Sequence, residues 1–547
     1  MALVALHAAW LRTHRSGGPL DIDEAAYLTL AFQTTNADHR IVTGPLILWQ
    51  NTGALAPLVP LTTAPLHLVL GRSIEVSHLT NLVFFPITVV ATYLLARRLA
   101  PAWWAALAAT VVATAPAITD YTRHYHYALA ATATFTVALL ALVRSRRLDH
   151  RGWSLAFGVA LGAVLLSRTY LLAFVPGLVL AAAVLAWRAP DRRRTAGHLL
   201  LALVVGGVLA GSWYLFSAPE IWDYLTGYGY GDDSSRYGAA SVTSLQWWLS
   251  DAVAVVSDGL YLPFTIALAV GAGAGLATVV RSRERGTRRS LLRLVLDSDA
   301  FPLLVAIAAG FAALLTSRNQ GTGFVLPLLP ASVVLAVALT ARARPRTVGL
   351  AVAVALCLVA TVNVTAKAQV LPALDDEVAV RPASWAMLRV TSGESVIDRY
   401  LRTYDADDEG REDGWLPANR ELYHDTIEHA PADDADPEVL FLVEGPNLNS
   451  TVPGLFSQIE DRRRFVGRNL TQADTASADE LTERLRAGRD DGSIDQVVTG
   501  PETLSWPELG FPEELAVEAA RAAGFVPAET VALPNGDEVT LWVAPTG

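Results

Sequence analysis

Long apolar stretches alternate with short connections along residues 79–362, and every second connection is rich in arginine. The basic connections are Arg97-Arg98 and residues 144–151, 188–194, 281–293 and 342–346. In membrane proteins, short loops rich in Lys and Arg stay in the cytoplasm. Because one extra or missing span would break the alternation, the pattern predicts a multi-pass helical protein whose other connections lie outside the cytoplasm.

About eleven transmembrane helices are expected. Only 17% of the residues are charged and 52% are hydrophobic, whereas about a quarter of a typical soluble domain is charged. The segment from Ala2 to Leu11 is too short to span a bilayer, which takes about 20 residues, so we interpret it as the tail of a first membrane helix. The other stretches are Leu79–Leu99, Ala102–Ile118, Tyr127–Val143, Trp153–Ser167, Tyr170–Trp187, His198–Phe216, Gly259–Val280, Ala300–Thr316, Phe324–Ala341 and Thr347–Val362.

The apolar stretch Thr43–Gly71 does not fit this pattern. Four prolines interrupt it, at Pro45, Pro57, Pro60 and Pro65. Because proline breaks the backbone hydrogen bonds of a helix, no continuous helix of spanning length is expected here. We interpret the stretch as one or two helices lying along the outer leaflet. A true span would instead place the first loop in the cytoplasm.

Charge separates the chain into two predicted domains. Residues 371–547 hold 14 Arg and 36 Asp or Glu, a net charge of −22, and the remainder has a net charge of +11. We predict a transmembrane domain over residues 1–365, with a first outer loop at 13–78 and a large outer loop at 217–258. An acidic extracytoplasmic domain follows over 366–547. Its short β-rich runs alternate with helical ones, and Asn535-Gly536 predicts a hairpin turn, so an α/β fold is expected.

Three carboxylates crowd the first outer loop at Asp21, Asp23 and Glu24, followed by the helical pattern that contains Tyr27. One interpretation is helix capping, with Asp21 or Asp23 as the N-cap and Glu24 near the positive end of the helix dipole. The other is a general base that removes a proton from an attacking hydroxyl. A cap also holds a catalytic carboxylate rigid, so the two interpretations are compatible.

Two isolated arginines, Arg168 and Arg318, interrupt apolar sequence at the outer ends of predicted helices. A buried cation is costly without a partner. The guanidinium fork suits a phosphate group, whereas the alternatives are snorkelling to the interface or pairing with a buried carboxylate.

Further polar and aromatic candidates lie in two other outer connections. Asp120, Arg123, His124 and His126 form a short polar loop, in which a metal site is one alternative and a polar pocket the other. The large outer loop is aromatic, and Tyr228 and Tyr230 are candidates for stacking on a sugar ring or for anchoring the loop at the headgroup level.

The order of several short motifs resembles the membrane glycosyltransferases of the GT-C fold, in the branch of protein O-mannosyltransferases and lipid A aminoarabinose transferases. The residues that carry the resemblance are Asp23-Glu24-Ala25-x-Tyr27, Ala64-Pro65-Leu66-His67 leading to Gly71, Tyr93 to Leu99, Gly158 to Tyr170, Gly211-Ser212-Trp213-Tyr214, Ser317-Arg318-Asn319 and Leu326 to Pro330. They extend over about two thirds of the chain.

The resemblance implies inverting transfer of one sugar from a polyprenyl-phosphate donor to an acceptor hydroxyl on the outer face of the cell membrane. It implies that Asp23 is the base, with Glu24 beside it, and that Arg168 and Arg318 hold the lipid phosphate. Members of the branch usually carry a second acidic residue at the start of the fourth helix, where this chain has residues 123–127, so Asp120 is a candidate substitute. The expected partners are the donor, a lipid, glycan or protein acceptor, and membrane lipids, without nucleic acid.

No cofactor or metal is expected, although Asp21-Ile22-Asp23 is also similar to the metal-binding DxD motif of other sugar transferases, which leaves a divalent cation as an alternative. Two other functional classes compete with the enzyme. A transporter of a lipid-linked substrate would carry ionisable groups near helix centres, and a non-catalytic envelope or glycan-assembly protein would tolerate loss of Asp23.

The charge alternation predicts that residues 13–78 and the acidic tail are both extracytoplasmic. After replacement of Cys357, single cysteines placed at Ser16 and Gly454 should react with a membrane-impermeant thiol reagent from the outer side. Labelling of either position from the cytoplasmic side alone would contradict the topology.

Overall fold

The structure is a computed structural model. It describes residues 1–15, 18, 20–35, 49, 52–230, 259–260, 262–284, 291–316, 322–368, 389–391, 394–395, 414–430, 436–445, 447–460, 464–470, 475, 477–505 and 510–545. By its internal contacts, the chain divides into two units. Unit 1 comprises Met1–Ala8, Trp49–Val59 and Leu79–Asp405, and unit 2 comprises Ala9–Leu48, Pro60–His78 and Ala406–Gly547.

Most of the first outer loop therefore belongs to the same unit as Ala406–Gly547 of the acidic tail, whereas Trp49–Val59 of that loop belongs to unit 1. The domain boundary predicted at residues 365 and 366 stays a prediction, because the division by contacts does not test it.

Helices dominate the chain up to residue 368. They are α1 (Ala2–His14), α2 (Ile22–Thr34), α3 (Leu58–Leu70), α4 (Ile74–His78), α5 (Asn81–Ala96), α6 (Ala102–Ala113), α7 (Pro116–Arg123), α8 (Tyr127–Arg144), α9 (Arg151–Ser167), α10 (Val175–Trp187), α11 (Arg192–Phe216), α12 (Ala218–Tyr230), α13 (Leu262–Glu284), α14 (Leu291–Leu296), α15 (Phe301–Thr316), α16 (Thr322–Val325), α17 (Leu329–Thr340) and α18 (Arg346–Ala368). Short 3₁₀ turns, Thr169–Ala173 and Leu326–Leu328, precede α10 and α17.

The helical membrane architecture predicted from the sequence is confirmed. Each of the eleven predicted stretches coincides with a helix or with a pair of consecutive helices. Within the described ranges, 7 helices are long and apolar enough to cross a membrane, or up to 8 if α6 and α7, bent by 56° at their junction, are one span. The remaining predicted spans, α1, α9 and α15, are shorter helices of 13, 17 and 16 residues.

The proline-rich stretch also forms a short helix. α3 is 13 residues long and contains Pro65, which is well below the length of a membrane span. Its last residues, Leu68, Val69 and Leu70, are exposed. This exposed apolar end is what an interfacial helix requires. Residues 43–48, 50 and 51 of the predicted stretch lie outside the described residues.

Glycines bring two helices of unit 1 into close contact. A Cβ atom added at Gly158 of α9 would lie 2.4 Å from the backbone oxygen of Ala202 in α11, and one added at Gly206 would lie 3.0 Å from the oxygen of Gly158. Helices in membranes associate through small residues because van der Waals packing replaces the hydrophobic effect there. Gly158 belongs to the motif that ends at Arg168, so this packing positions the end of α9.

The basic connections meet at one end of unit 1. Arg147 and Arg188 contact the same oxygen of Asp297, at 3.2 and 2.9 Å, and Arg98 contacts Asp299 at 2.8 Å. These residues come from four connections that the charge alternation places on one side of the membrane. Their ion pairs are consistent with that grouping.

Unit 2 contains a five-stranded mixed sheet. Its strands are β3 (Glu438–Phe441), β4 (Val466–Asn469), β5 (Gln496–Thr499), β6 (Val526–Ala532) and β7 (Glu538–Val543), in the order β4-β3-β5-β7-β6. β3 pairs in parallel with β4 and β5, whereas β7 pairs antiparallel with β5 and β6. A separate antiparallel pair, β1 (Arg389–Thr391) and β2 (Glu394–Ser395), lies within unit 1.

Helices cover the sheet and provide its core. They are α19 (Trp415–Glu428), α20 (Thr451–Ile459), α21 (Ala478–Asp491) and α22 (Glu513–Ala522). Leu440, Val497 and Trp542 of the sheet pack with Leu481 of α21 and Ala516 of α22. Phe441, next to Leu440 in β3, packs its ring against Phe465 instead, as the alternation of side chains along a strand requires. The predicted α/β fold of the tail is therefore confirmed.

The hairpin predicted at Asn535-Gly536 is confirmed as well. Strands β6 and β7 flank this turn, and Gly536 has a φ of 86°, a conformation that glycine adopts without strain. Elsewhere in the tail, Ser477 is the N-cap of α21, and its hydroxyl accepts a hydrogen bond from the N–H of Glu480 at 3.2 Å.

A buried carboxyl group, that of Glu444, follows β3. Burial raises its pKa to about 7, although hydrogen bonds from the N–H and the hydroxyl of Ser450 act in the opposite direction. Between about pH 4.5 and pH 7 the native state keeps a proton on Glu444 that the unfolded chain has lost. The contribution of Glu444 to the stability of the protein is therefore full below about pH 4.5 and is lost as the pH rises to about 7.

We expect Glu444→Gln, which stays neutral, to stabilise the β3 region at pH 7.5 by up to about 3 kcal/mol and to have little effect near pH 4.5. Hydrogen exchange of the amides of residues 438–444 in the full-length protein measures this. Glu483→Gln on exposed α21 is the control. A wild-type pH dependence in the Glu444 variant would contradict the assignment.

Candidate functional site

The acidic motif of the first outer loop forms the first turn of α2, within unit 2. Asp21 is the N-cap and accepts a hydrogen bond from the N–H of Glu24 at 2.7 Å. Asp23 follows in the first turn and is half-buried. The capping interpretation is thus confirmed for Asp21, and it leaves the position of Asp23 rigid at the start of a helix.

Glu24 is fully buried and lies in an ion-pair network. Its Oε2 contacts the guanidinium of Arg15, and its Oε1 lies 2.8 Å from Nε2 of His78. Nδ1 of His78 lies 2.9 Å from the carbonyl oxygen of Ile74. Because a carbonyl oxygen can only accept, Nδ1 of His78 is the donor to Ile74. Glu24 thereby fixes α2 to the segments on either side of it.

The other end of α2 is held by polar contacts within the same unit. His67 bridges the hydroxyl groups of Thr35 and Ser77, at 2.9 and 2.8 Å. Arg72 lies over the ring of Phe32 at 5.1 Å and donates to the carbonyl oxygen of Phe32 at 3.2 Å. The motif that contains His67 therefore supports the end of α2.

The C-terminal part of unit 2 also holds α2. α2 packs against α20, and Arg72 donates to the carbonyl oxygen of Gln458 at 2.5 Å. At the other end, the side-chain amide of Asn449 donates to the carbonyl oxygen of Leu20 at 3.2 Å, and its Oδ1 accepts from the N–H groups of Thr451 and Val452. The residue next to the cap of α2 is thus tied to the start of α20.

Arg168 is a buried cation of unit 1. It lies where α9 ends, in extended backbone before the 3₁₀ turn, and only 3% of it is exposed. Its guanidinium carbon lies 4.1 Å from the ring centre of Tyr127 and 5.4 Å from that of Tyr224, and Nη2 donates to the hydroxyl of Tyr224 at 2.8 Å. The aromatic faces stabilise a desolvated cation.

Aromatic side chains continue the site around Tyr127. Tyr170, two residues after Arg168, lies with its ring centre 6.2 Å from that of Tyr127 and donates from its hydroxyl to the carbonyl oxygen of Gly323 at 3.2 Å. His126 stacks at 3.9 Å on Tyr127 and accepts a hydrogen bond from the N–H of Ala128 through Nδ1, as the N-cap of α8.

The polar loop of residues 120–126 is built around Asn81. The amide nitrogen of Asn81 donates to the carbonyl oxygens of Tyr121, at 2.9 Å, of His126, at 3.1 Å, and of His124. Asp120 is half-buried, and its carbonyl oxygen lies 2.7 Å from Nδ1 of His124.

Arg123 is buried, with its Nε 3.4 Å from Nδ1 of His7. Among the residues that the structure describes, no group of three or more His, Cys, Asp or Glu side chains could hold a metal ion.

The remaining motif residues anchor a loop within unit 1. Trp213 is fully buried and donates from Nε1 to the hydroxyl of Thr52 at 2.6 Å, and Ser212 accepts from Nε1 of Trp49 at 3.0 Å. Ala56 packs in the same apolar cluster as Trp213. This part of the resemblance therefore coincides with packing residues.

Several predicted site residues are not described. Arg318 lies outside the described residues, and for Tyr228 and Tyr230 the structure describes the backbone of α12 only. Tyr27, by contrast, is fully buried in α2. The assignments of Asp23, Glu24, Arg168, Arg318 and the pocket candidates to catalytic roles stay predictions.

Sequence reasoning missed the partners that support the site. Arg15, His78, Asn81 and Tyr224 lie far from the groups that they hold, and nothing in their spacing indicates the pairing. Residue chemistry gives a signal for Arg15 and His78. A buried carboxylate requires cationic partners, and Arg15, which follows the first helix, is a candidate partner for Glu24.

This architecture is the GT-C fold, in a multi-pass membrane protein. The solved structure of ArnT from Cupriavidus metallidurans bound to undecaprenyl phosphate is similar over 100% of this chain and 99% of that chain, with a TM-score of 0.57 and 16% sequence identity. Its apo structure is similar over 100% and 98%, with a TM-score of 0.58 and 15% identity. ArnT is a lipid A aminoarabinose transferase, a glycosyltransferase of the GT-C fold.

Sequence comparisons are less informative. A family described as a domain of unknown function, DUF6311, matches residues 55–261. No curated protein sequence matches this chain. The GT-C resemblance derived from the motifs is thus confirmed at the level of the fold.

The buried network predicts different effects for the two neighbouring carboxylates. We expect Glu24→Gln to destabilise the protein by on the order of 3 kcal/mol, because Arg15 and His78 would lose their counter-charge while still buried. Asp23→Asn should change stability by less than about 1 kcal/mol, because the replacement is isosteric and the cap is Asp21. Thermal unfolding of both variants in detergent measures this, and equal losses would contradict the assignment.

Proposed function

We propose that the protein is an inverting glycosyltransferase that moves a single sugar from a polyprenyl-phosphate donor to an acceptor hydroxyl on the outer face of the membrane. The observation that carries the proposal is a buried, aromatic-flanked Arg168 within a GT-C fold that matches ArnT over the full length of both chains. The ArnT structure contains undecaprenyl phosphate, which is a polyprenyl phosphate. The likeness in fold makes a donor of the same chemical class the natural candidate here.

Arg168 is assigned to the donor phosphate. Its guanidinium is desolvated, so an anion placed beside it gains more than it would in water. The fork geometry of arginine allows two parallel hydrogen bonds to phosphate oxygens. Tyr127 and Tyr224 keep the guanidinium in one position. A fixed guanidinium suits a ligand whose phosphate must be held in one place during the reaction. Arg318 is assigned to the same phosphate by the resemblance alone.

Asp23 is assigned to the general base. A carboxylate can remove the proton of an attacking hydroxyl if the helix that carries it does not move. α2 is fixed by its cap at Asp21, by the buried Glu24 and by the contacts at its far end. Glu24 is fully buried and ion-paired, so we assign it to positioning of Asp23 and not to contact with substrate.

The reaction follows from these roles. The acceptor oxygen attacks the anomeric carbon and forms the new glycosidic bond, and its proton passes to Asp23. The bond from the anomeric carbon to the phosphate oxygen breaks, and the electron pair leaves with the polyprenyl phosphate. Arg168 stabilises the charge that develops on that leaving group. Because attack and departure occur on opposite faces of the sugar, the configuration inverts.

The acidic α/β region of unit 2 is proposed to act on the acceptor side, because it holds α2 through Asn449 and Arg72. An acidic surface outside the membrane favours partners that are neutral or basic.

Asp23→Asn should lower kcat by about a hundredfold or more, because proton removal fails while the charge-independent contacts remain. Asp21→Asn is the matched control, since Asn is an equally good N-cap. Transfer from a radiolabelled polyprenyl-phosphate sugar by the purified protein, reconstituted in lipid, measures turnover.

Arg168→Ala should both raise the KM for the donor and lower kcat in the same assay, because Arg168 is assigned to holding the phosphate and to stabilising the leaving group, and Arg168→Lys should have smaller effects. Full activity of both the Asp23 and the Asp21 variants would exclude both carboxylates as the base, and a wild-type protein that transfers no sugar would favour the non-catalytic assembly protein. Loss of turnover in Asp21→Asn alone would move the base to Asp21.

A further inference from the structure

A cavity of about 200 Å³ opens at the basic end of unit 1, the end where the arginine-rich connections meet. We call it the basic-end cavity. Its polar lining residues are Arg98, Arg146, Arg147, Asp297, Ser298 and Asp299. By the charge alternation this end faces the cytoplasm, whereas the proposed sugar transfer occurs on the outer face.

The carboxylates of the cavity are already engaged. Asp297 pairs with Arg147 and Arg188, and Asp299 pairs with Arg98. Arginine hydrogen bonds to Asp297 hold its pKa below the usual range. Both carboxylates are therefore bound to arginines, so they do not attract a further cation into the cavity.

Arg146 is different. It lines the cavity, it is exposed, and within the described part of the chain its guanidinium group makes no hydrogen bond or ion pair, whereas its backbone bonds to Val143 and Asp149. Two of the three lining arginines, Arg98 and Arg147, pair with the two lining carboxylates, so the charge of Arg146 gives the cavity an excess of positive charge. This excess selects an anion.

The backbone beside the cavity is held in an uncommon conformation. Arg146, Arg147 and Leu148 have φ values of 52°, 62° and 64°, in the left-handed region that is unfavourable for residues with a side chain. A hydrogen bond from the N–H of Leu148 to the hydroxyl of Ser145, at 3.0 Å, helps to close the loop. Conformations of this kind persist only where the surroundings fix them, and here they place two neighbouring arginines at the same cavity.

The surroundings indicate the depth of the cavity in the membrane. Arg188, which pairs with Asp297, follows Trp187 at the end of α10. Trp187 is 69% exposed, and Arg192 lies over its ring at 4.8 Å. Exposed tryptophan with arginine at a helix end marks the level of the lipid headgroups. A phosphate group at that level belongs to a phospholipid.

We propose that the basic-end cavity binds the phosphate headgroup of an anionic phospholipid from the cytoplasmic leaflet, with Arg146 as the residue that supplies the unmatched charge. Basic pockets between transmembrane helices are suited to such headgroups. The cavity is too small for a glycan chain, and its charge disfavours a zwitterionic headgroup, whose ammonium group would meet Arg146.

The experiment is native mass spectrometry of the full-length protein, titrated with phosphatidylglycerol or with phosphatidylcholine. Wild-type protein should bind phosphatidylglycerol more tightly. Arg146→Gln should weaken that binding by about fivefold, the effect of one arginine near a lipid surface, and Arg146→Lys should retain most of it. Arg193→Gln is the matched control, because Arg193 is also exposed at this end and lies outside the cavity.

Three outcomes would overturn the proposal. The first is a wild-type protein that binds both lipids equally. The second is an equal loss in the Arg146→Gln and Arg193→Gln variants, which would indicate general attraction to a basic surface. The third concerns inorganic phosphate. If it raises the thermal stability of the wild-type protein but not of Arg146→Gln, and phosphatidylglycerol has no effect on either protein, the cavity is a site for a free anion.

Discussion

The cost of removing charge from water is the constraint on which this structure depends. A buried ion without a partner loses far more free energy than packing around it returns. Glu24 is fully buried, and it is tolerated because Arg15 and His78 surround it. Arg168 is buried against two tyrosine rings. Glu24 and Arg168 therefore each have a set of neighbours that fixes their position.

That requirement turns ordinary helix packing into a support for chemistry. The pairing of Glu24 orients α2, and the cap at Asp21 fixes its first turn, so Asp23 is located by groups that do not themselves react. Asn449 and Arg72 extend the same support to the C-terminal part of unit 2. In unit 1, the close approach of α9 and α11 at Gly158 and Gly206 locates the end of α9 and with it Arg168.

Much of the architecture was predictable because it depends on local signals. The apolar stretches and arginine-rich connections indicated the helices, and the turn at Asn535-Gly536 indicated the hairpin. The cap at Ser477 and the capping role of Asp21 also follow from residue type and position. Helices α19 and α20 and strand β4 were not predicted, and the contact between the rings of Tyr423 in α19 and Phe456 in α20 is a tertiary pairing that no local pattern indicates.

The sequence by itself determined that the chain crosses a membrane several times, that its tail is an acidic α/β region, and which carboxylates and arginines are candidates for chemistry. Hydrophobic length, charge sign and capping are properties of neighbouring residues. Only the tertiary structure decided that Glu24 is a buried anchor, that Tyr127 and Tyr224 flank Arg168, and that most of the first outer loop belongs to one unit with Ala406–Gly547. These pairings join residues tens to hundreds of positions apart, and complementary charge and shape, which no local pattern encodes, select them.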